Sequence, residues 1–152
     1  MHMKKYENAV FLDSSFVISS QILNDLFNDK AAKLISNFEN TKVILILVPL
    51  VLDEFWFTIN KALKQMMPAG FNRKSLNRLS RVTENLLLLP GLRIVNPIFK
   101  TTHVLDIPMI MAKYDLRPRD ALIVKSMEIL GVNKIATFDS DFDRVKGISV
   151  VK

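Results

Sequence analysis

Four carboxylates are the residues of this chain best placed to do chemistry together. Asp13 closes the run AVFL, Glu54 follows LVPLVLD, Asp120 sits in LRPRDALIV and Asp139 in KIATFDSDF, so each stands where an apolar run ends or opens. An acid beside a buried element loses solvation, and four repetitions of that cost point to a shared site. Gathered without a counter-ion, the charges would raise one another's pKa values and draw in protons. A divalent cation removes that conflict. Oxygen donors with no Cys and no paired His favour magnesium or manganese over zinc. His2 and His103 have no partner at metal-ligand spacing and read as non-ligands.

Bringing these acids together is the task of the elements between them. Ala9–Leu12 reads as a short buried strand that stops at Asp13-Ser14-Ser15. Apolar residues recur at helical intervals over Phe16–Phe27 and again over Asp29–Phe38. Thr41–Val48 predicts a second strand, and Pro49 suits the first position of a helix running to Gln65. Glu54 lies within two turns of that helix's start and can point back over the strand end, whereas Asp53 lies about 100° around the helix. Phe55, Trp56 and Ile59 read as core rather than as an aromatic binding box. Met66–Asn72 reads as a loop and Arg73–Leu88 as a helix, followed after Pro90-Gly91 by a third strand over Leu92–Val95. Thr101–Lys113 is helix-like but holds Pro108, which predicts a start near Asp106 or a break. Pro118–Leu130 is a helix ended by Gly131, Lys134–Phe138 a strand, and Ile148–Val151 an edge strand. Such alternation writes an open parallel sheet, whose strand carboxyl ends converge on one crevice.

Each acid also has a purely structural reading. Asp120, in the first turn of its helix, favours the helix dipole whether or not it holds a metal. Asp139, Asp141 and Asp143 alternate after a strand and could cap a turn. They do not form a calcium loop of the EF-hand type, because Arg144 stands where that loop needs Gly and Val150 where it needs a closing Glu.

Composition bounds the remaining classes. The 152 residues are 49% hydrophobic, enough to bury a sizeable core, and four glycines without low-complexity tracts argue against disorder. With no cysteine there is neither disulfide nor thiolate chemistry, which fits a cytoplasmic protein. The longest apolar run, Val43–Leu52, is too short to span a bilayer and contains Pro49, so no membrane role is expected. A net charge of +6 alongside an acidic site suggests a polyanionic partner, with ordinary solubility as the plain alternative. Lys74, Arg78 and Arg81 share one helical face, with Arg73 beside them; the choice is between a solvated face and a surface that holds phosphates without reading sequence.

The motifs FLDSS, LVLDEF, RPRDALIV and ATFDSDF, in that order, resemble the PIN domain, the metal-dependent ribonuclease fold best known from VapC-type toxins. The resemblance spans Val10 to Val151, with the basic stretch Lys64–Arg81 longer than the compact toxins usually carry. It implies one domain over 1–152, folded as a three-layer α/β/α sandwich with a central, mainly parallel sheet. It also implies a Mg²⁺- or Mn²⁺-dependent endoribonuclease acting on single-stranded or looped RNA. Asp13, Glu54, Asp120 and Asp139 match the family's catalytic acids. Asp13, Asp120 and Asp139 would hold one or two ions that lower the pKa of bound water, and Asp141 matches a further position that is often acidic. Glu54 would ligate through water or help take up the proton. Ser14 and Thr137 match small hydroxyl positions that orient carboxylates, Arg73, Lys74, Arg78 and Arg81 would contact RNA, and Asp53 and Asp143 are solvated bystanders. An antitoxin protein and a homodimer are further family expectations.

Two readings compete with the nuclease. A non-catalytic PIN-like RNA-binding or scaffold domain would keep the acids without holding metal productively. A receiver-like or phosphatase-like protein would phosphorylate Asp13, but the DSS motif lacks the second Asp that such phosphatases carry two residues on.

Overall fold

The structure, a computed structural model, describes residues 6–66 and 72–152. His2 and most of the Met66–Asn72 loop lie outside the described residues. Five strands form one wholly parallel sheet: β1 (Ala9–Leu12), β2 (Ile44–Leu47), β3 (Leu92–Ile94), β4 (Lys134–Ala136) and β5 (Ser149–Val151), in the order β3-β2-β1-β4-β5. Every residue of β1 is buried, as expected of a central strand covered on both faces and written as an unbroken apolar run. The chain steps outward from β1 to β2 and β3, then crosses back to β4 on the other side of β1. Right-handed crossovers therefore place the intervening helices on opposite faces and complete a three-layer α/β/α sandwich.

On one face α1 (Ser14–Gln21) packs against α2 (Asn28–Asn40), α3 (Pro49–Met66) and α4 (Arg73–Leu87). On the other, α5 (Thr101–Tyr114) packs against α6 (Pro118–Leu130). Phe11, Leu12, Phe16, Leu45, Ile46, Leu47 and Phe55 are fully buried between the layers.

Several boundaries differ from the sequence reading. The helix expected over Phe16–Phe27 ends at Gln21, because Asp25 accepts the Phe27 N–H at 2.9 Å and the Asn28 side chain donates to the Ser19 carbonyl at 2.8 Å. Asn and Asp side chains thereby offer the backbone a turn in place of another helical turn, and Leu23 and Leu26 are left exposed. Pro108 neither starts nor breaks α5, which runs through it. That helix opens seven residues earlier, where His103 Nδ1 accepts the Lys100 N–H at 3.2 Å. The strand expected over Lys134–Phe138 ends at Ala136, so Thr137 lies one residue beyond it. Trp56 is not core: it is 41% exposed and donates its indole N–H to Thr83 Oγ1 on α4 at 3.0 Å, whereas Phe55 and Ile59 are buried.

Gly91 sets the approach of β3. Its φ is +71°, and a Cβ there would lie 2.5 Å from the backbone oxygen of Val43. Left-handed geometry alone costs an alanine about 1–2 kcal/mol. Gly91→Ala is therefore expected to lower unfolding stability by at least about 2 kcal/mol, seen as a lower urea midpoint with an unchanged slope. A loss below about 0.5 kcal/mol would show that this turn relaxes freely.

Candidate active site

The reversal of strand order falls between β1 and β4, and the crevice beyond their carboxyl ends is where a parallel sheet offers a binding site. Asp13 is the first residue after β1 and pairs its N–H with the Ala136 carbonyl at 3.1 Å, so the two strand ends are tied together. Asp13 is buried, with 3% of its surface exposed. Ser15 Oγ and Thr137 Oγ1 each donate to Asp13 Oδ2 at 2.7 Å. A hydroxyl carries one proton, so with both protons aimed at Asp13 the 3.0 Å approach of the two hydroxyl oxygens holds none between them. Those oxygens in turn accept backbone N–H groups, Ser15 from Phe138 and Thr137 from Asp139, both at 3.0 Å. The network fixes the loop after β4 to the loop after β1. The Ser14 hydroxyl reaches Asp13 Oδ1 only at 3.5 Å, at the outer limit of a hydrogen bond, and the backbone N–H groups of Ser14 and Ser15 also favour the charged carboxylate.

That loop carries the rest of the acids. Asp139 Oδ1 accepts the Asp141 N–H at 2.9 Å and opens a short 3-10 turn over Ser140–Arg144, which turns Asp141 back towards Asp139. Asp120 comes from the first turn of α6, where Pro118 starts the helix. Oxygens of Asp120, Asp139 and Asp141 lie within 4.8 Å of one another. Neither Asp13 nor Glu54 belongs to that trio, although the charge of Asp13 is close enough to raise the Asp120 pKa.

Burial pushes the Asp13 carboxyl above its ordinary value, with the Thr137 and Ser15 hydrogen bonds offsetting part of the rise. Burial is likewise the main cause of the raised Asp120 pKa; Arg117 opposes it, and Asp139 and Asp13 add to it. Like charges gathered in a partly buried crevice are thus only partly neutralised by the protein.

Three arginines face these acids. Arg117 reaches Asp120 Oδ2 at 3.3 Å through Nε and Asp139 Oδ2 at 3.2 Å through Nη2. Arg144 holds Asp141 Oδ1 at 2.9 Å and is itself fixed to the Asp115 carbonyl at 2.8 Å. Arg119 holds Glu54 at 2.8 Å and lies 3.6 Å from Asp53, tying α6 to α3. Asp53 is mostly exposed, and Asp143 pairs with Lys152 at 2.7 Å away from the trio.

Two features were not read from the sequence. Ser15, rather than Ser14, makes the short bond to Asp13, and Arg117 and Arg119 engage the acids. The available signal was two arginines flanking the proline that starts the helix of Asp120. Arg73, Lys74, Arg78 and Arg81 are all exposed on α4, with no ion pair within 4 Å among the described residues. No hydrogen bond among the described residues joins their side chains to the acids, but α4 packs on α1, which follows Asp13, and on α3, which carries Glu54.

A parallel sheet with carboxylates gathered over the ends of its two central strands is the plan of an α/β domain built around an acidic centre. The chain belongs to the PIN domain family, whose model matches residues 10–148. It is similar to ribonuclease VapC6 of Methanocaldococcus jannaschii, at 32% identity over 94% of this chain and 96% of that protein. It is also similar to ribonuclease VapC2 of the same organism, at 27% identity over 99% and 97%. Among solved structures, VapBC2 from Rickettsia felis, bound to a DNA fragment from its promoter, superposes with a TM-score of 0.66 at 11% identity, covering 94% of this chain and 97% of that one. Mycobacterium tuberculosis VapC20, a toxin that cleaves the Sarcin-Ricin loop, superposes with a TM-score of 0.63 at 17% identity over 88% and 92%.

Proposed function

We propose that this protein is a divalent-metal-dependent endoribonuclease, the toxin of a toxin–antitoxin pair. The observation that carries the reading is the oxygen trio of Asp120, Asp139 and Asp141 beside a buried Asp13, at the switch point of a PIN sheet. An all-carboxylate set of hard donors suits magnesium or manganese. Asp120, Asp139 and Asp141 would hold the ion, and Asp13, oriented by Ser15 and Thr137, would add a further carboxylate beside them. When bound, the ion supplies an activated water and charge stabilisation at a phosphodiester.

The remaining steps belong to side chains of this chain. Thr137 and Ser15 hold Asp13 in one orientation. Glu54, kept in place by Arg119, accepts the proton released by the attacking water. Arg73, Lys74, Arg78 and Arg81 hold the backbone of a single-stranded or looped RNA by charge. The names of the VapC relatives support the ribonuclease activity, and the VapBC2 likeness supports an antitoxin partner. Pairing into a homodimer completes the proposal.

The test is cleavage of a generic single-stranded RNA by purified, antitoxin-free protein. Internal cuts are expected with Mg²⁺ or Mn²⁺, none with EDTA, and none with Asp139→Asn. Cleavage that persists in EDTA would rule out the metal mechanism; no cleavage under any metal would favour a silent RNA-binding domain.

A further inference from the structure

Among the described residues, Arg117 has an arrangement that no other cation at the site shares. Its guanidinium spans two members of the oxygen trio, approaching the Oδ2 atoms of both Asp120 and Asp139, yet its side chain is 72% exposed. It stands just before α6 in extended backbone, φ −69° and ψ 157°, with Pro118 fixing the turn behind it. Arg144, by contrast, is pinned by a backbone carbonyl as well as by Asp141, and Arg119 serves Glu54 outside the trio. An exposed ion pair is weak, and a long side chain at a helix entrance reorients at little cost. The same two carboxylates are among those the proposed metal would use, so cation and guanidinium compete for them.

We propose that Arg117 is a displaceable counter-ion that becomes a phosphate-binding residue: it bridges Asp120 and Asp139 in the metal-free protein, yields them to the divalent cation, and then holds an RNA phosphate at the rim. The idea rests on the metal-dependent reading above. A guanidinium fork matches a phosphate as well as it matches carboxylates, so the released side chain exchanges one anionic partner for another. It thereby couples loading of the metal to capture of the substrate, since the fork is free for phosphate only when the acids are taken.

Calorimetric titration of Mn²⁺ into metal-depleted wild type, Arg117→Gln and Arg117→Lys, without RNA, separates the two roles. Arg117→Gln is expected to bind Mn²⁺ about three- to tenfold more tightly than wild type, because a positive charge has left the acids. Arg117→Lys, which keeps the charge but loses the bridging fork, should fall between. In steady-state cleavage of the same oligoribonucleotide, Arg117→Gln should raise KM by about three- to tenfold with a smaller change in kcat. Equal or weaker Mn²⁺ binding in Arg117→Gln would overturn the displacement, and tighter binding with an unchanged KM would overturn the phosphate role. If wild type itself binds no Mn²⁺, the metal-dependent reading fails and this one with it. Circular dichroism of each variant checks that an exposed substitution has left the fold intact.

Discussion

Asp13→Asn is expected to abolish metal-dependent cleavage while making the metal-free protein more stable at neutral pH. The substitution keeps the shape: an amide oxygen in the place of Oδ2 still accepts from Ser15 and Thr137, and the amide nitrogen takes the place of Oδ1 beside the Ser14 hydroxyl. What leaves is a buried charge. Burial raises the Asp13 pKa in the fold above its ordinary value of 3.8, so ionisation works against folding. The sign follows from linkage: a carboxyl whose folded pKa is raised destabilises fully above that pKa, and the penalty is relieved as pH falls through it towards 3.8. Asn does not titrate. Thermal melts in EDTA should therefore place Asp13→Asn above wild type at pH 7 to 8 (about neutral), with the gap narrowing on acidification. The raised Asp120 carboxyl strengthens the effect, because removing the Asp13 charge takes away one of the causes that hold it up.

Metal should reverse the order. A ligand that binds only the folded state stabilises it in proportion to the logarithm of its concentration over Kd, and Asn is a poorer metal donor than the carboxylate it replaces. Mn²⁺ should raise the melting temperature of wild type more than that of Asp13→Asn. Activity should fall by more than about a hundredfold, since removing partners of metal ligands alone costs up to that much. A variant that melts below wild type in EDTA at neutral pH would contradict the buried-charge account, whatever its activity.

The placement of the acids was legible because apolar runs mark strand ends. AVFL is buried throughout, as a central strand is, so Asp13 stands at its carboxyl edge; β4 ends at Ala136, and Asp139 follows three residues on. Which side chains then meet was less legible. Helix α1 starts at Ser14, and one residue of rotation, about 100°, decides whether Ser14 or Ser15 turns back towards Asp13. Nothing in the letters DSS carries that rotation. Asp141 reaches the trio only because Asp139 accepts its N–H and tightens a turn after the strand. Arg117 and Arg119 resemble surface charge when read along the chain, and they become part of the site only when the crossover from β3 to β4 lays α6 beside the ends of the central strands. At α1 the apolar pattern was real but yielded to side-chain turns from Asp25 and Asn28, a choice that hydrophobic periodicity does not register.

Thr137→Val should expose how much of the site depends on one buried hydroxyl. Thr137 is fully buried, and valine matches its shape, so the change removes hydrogen bonds with little loss of packing. Asp13 loses one of its two short donors, and the Asp139 N–H loses its acceptor. Leaving such groups unsatisfied should cost about 1–3 kcal/mol of stability. Metal affinity and cleavage should fall about ten- to a hundredfold, as is usual when the partner that orients a metal ligand is removed. The pH profile distinguishes this from simple loosening. The Thr137 hydrogen bond lowers the Asp13 pKa against the larger effect of burial, so without it the carboxyl rises further and the acid limb of activity moves to higher pH. Thr137→Ser, which keeps the hydroxyl and loses a methyl, should restore that limb. Ser15→Ala should behave as a milder Thr137→Val, because it removes the other short donor to Asp13 and the acceptor of the Phe138 N–H. Ser14→Ala should leave the profile close to wild type, since its hydroxyl stands 3.5 Å from Asp13. Equal acid-limb shifts in Ser14→Ala and Ser15→Ala would mean that the hydroxyl network orienting Asp13 is not the one the geometry draws.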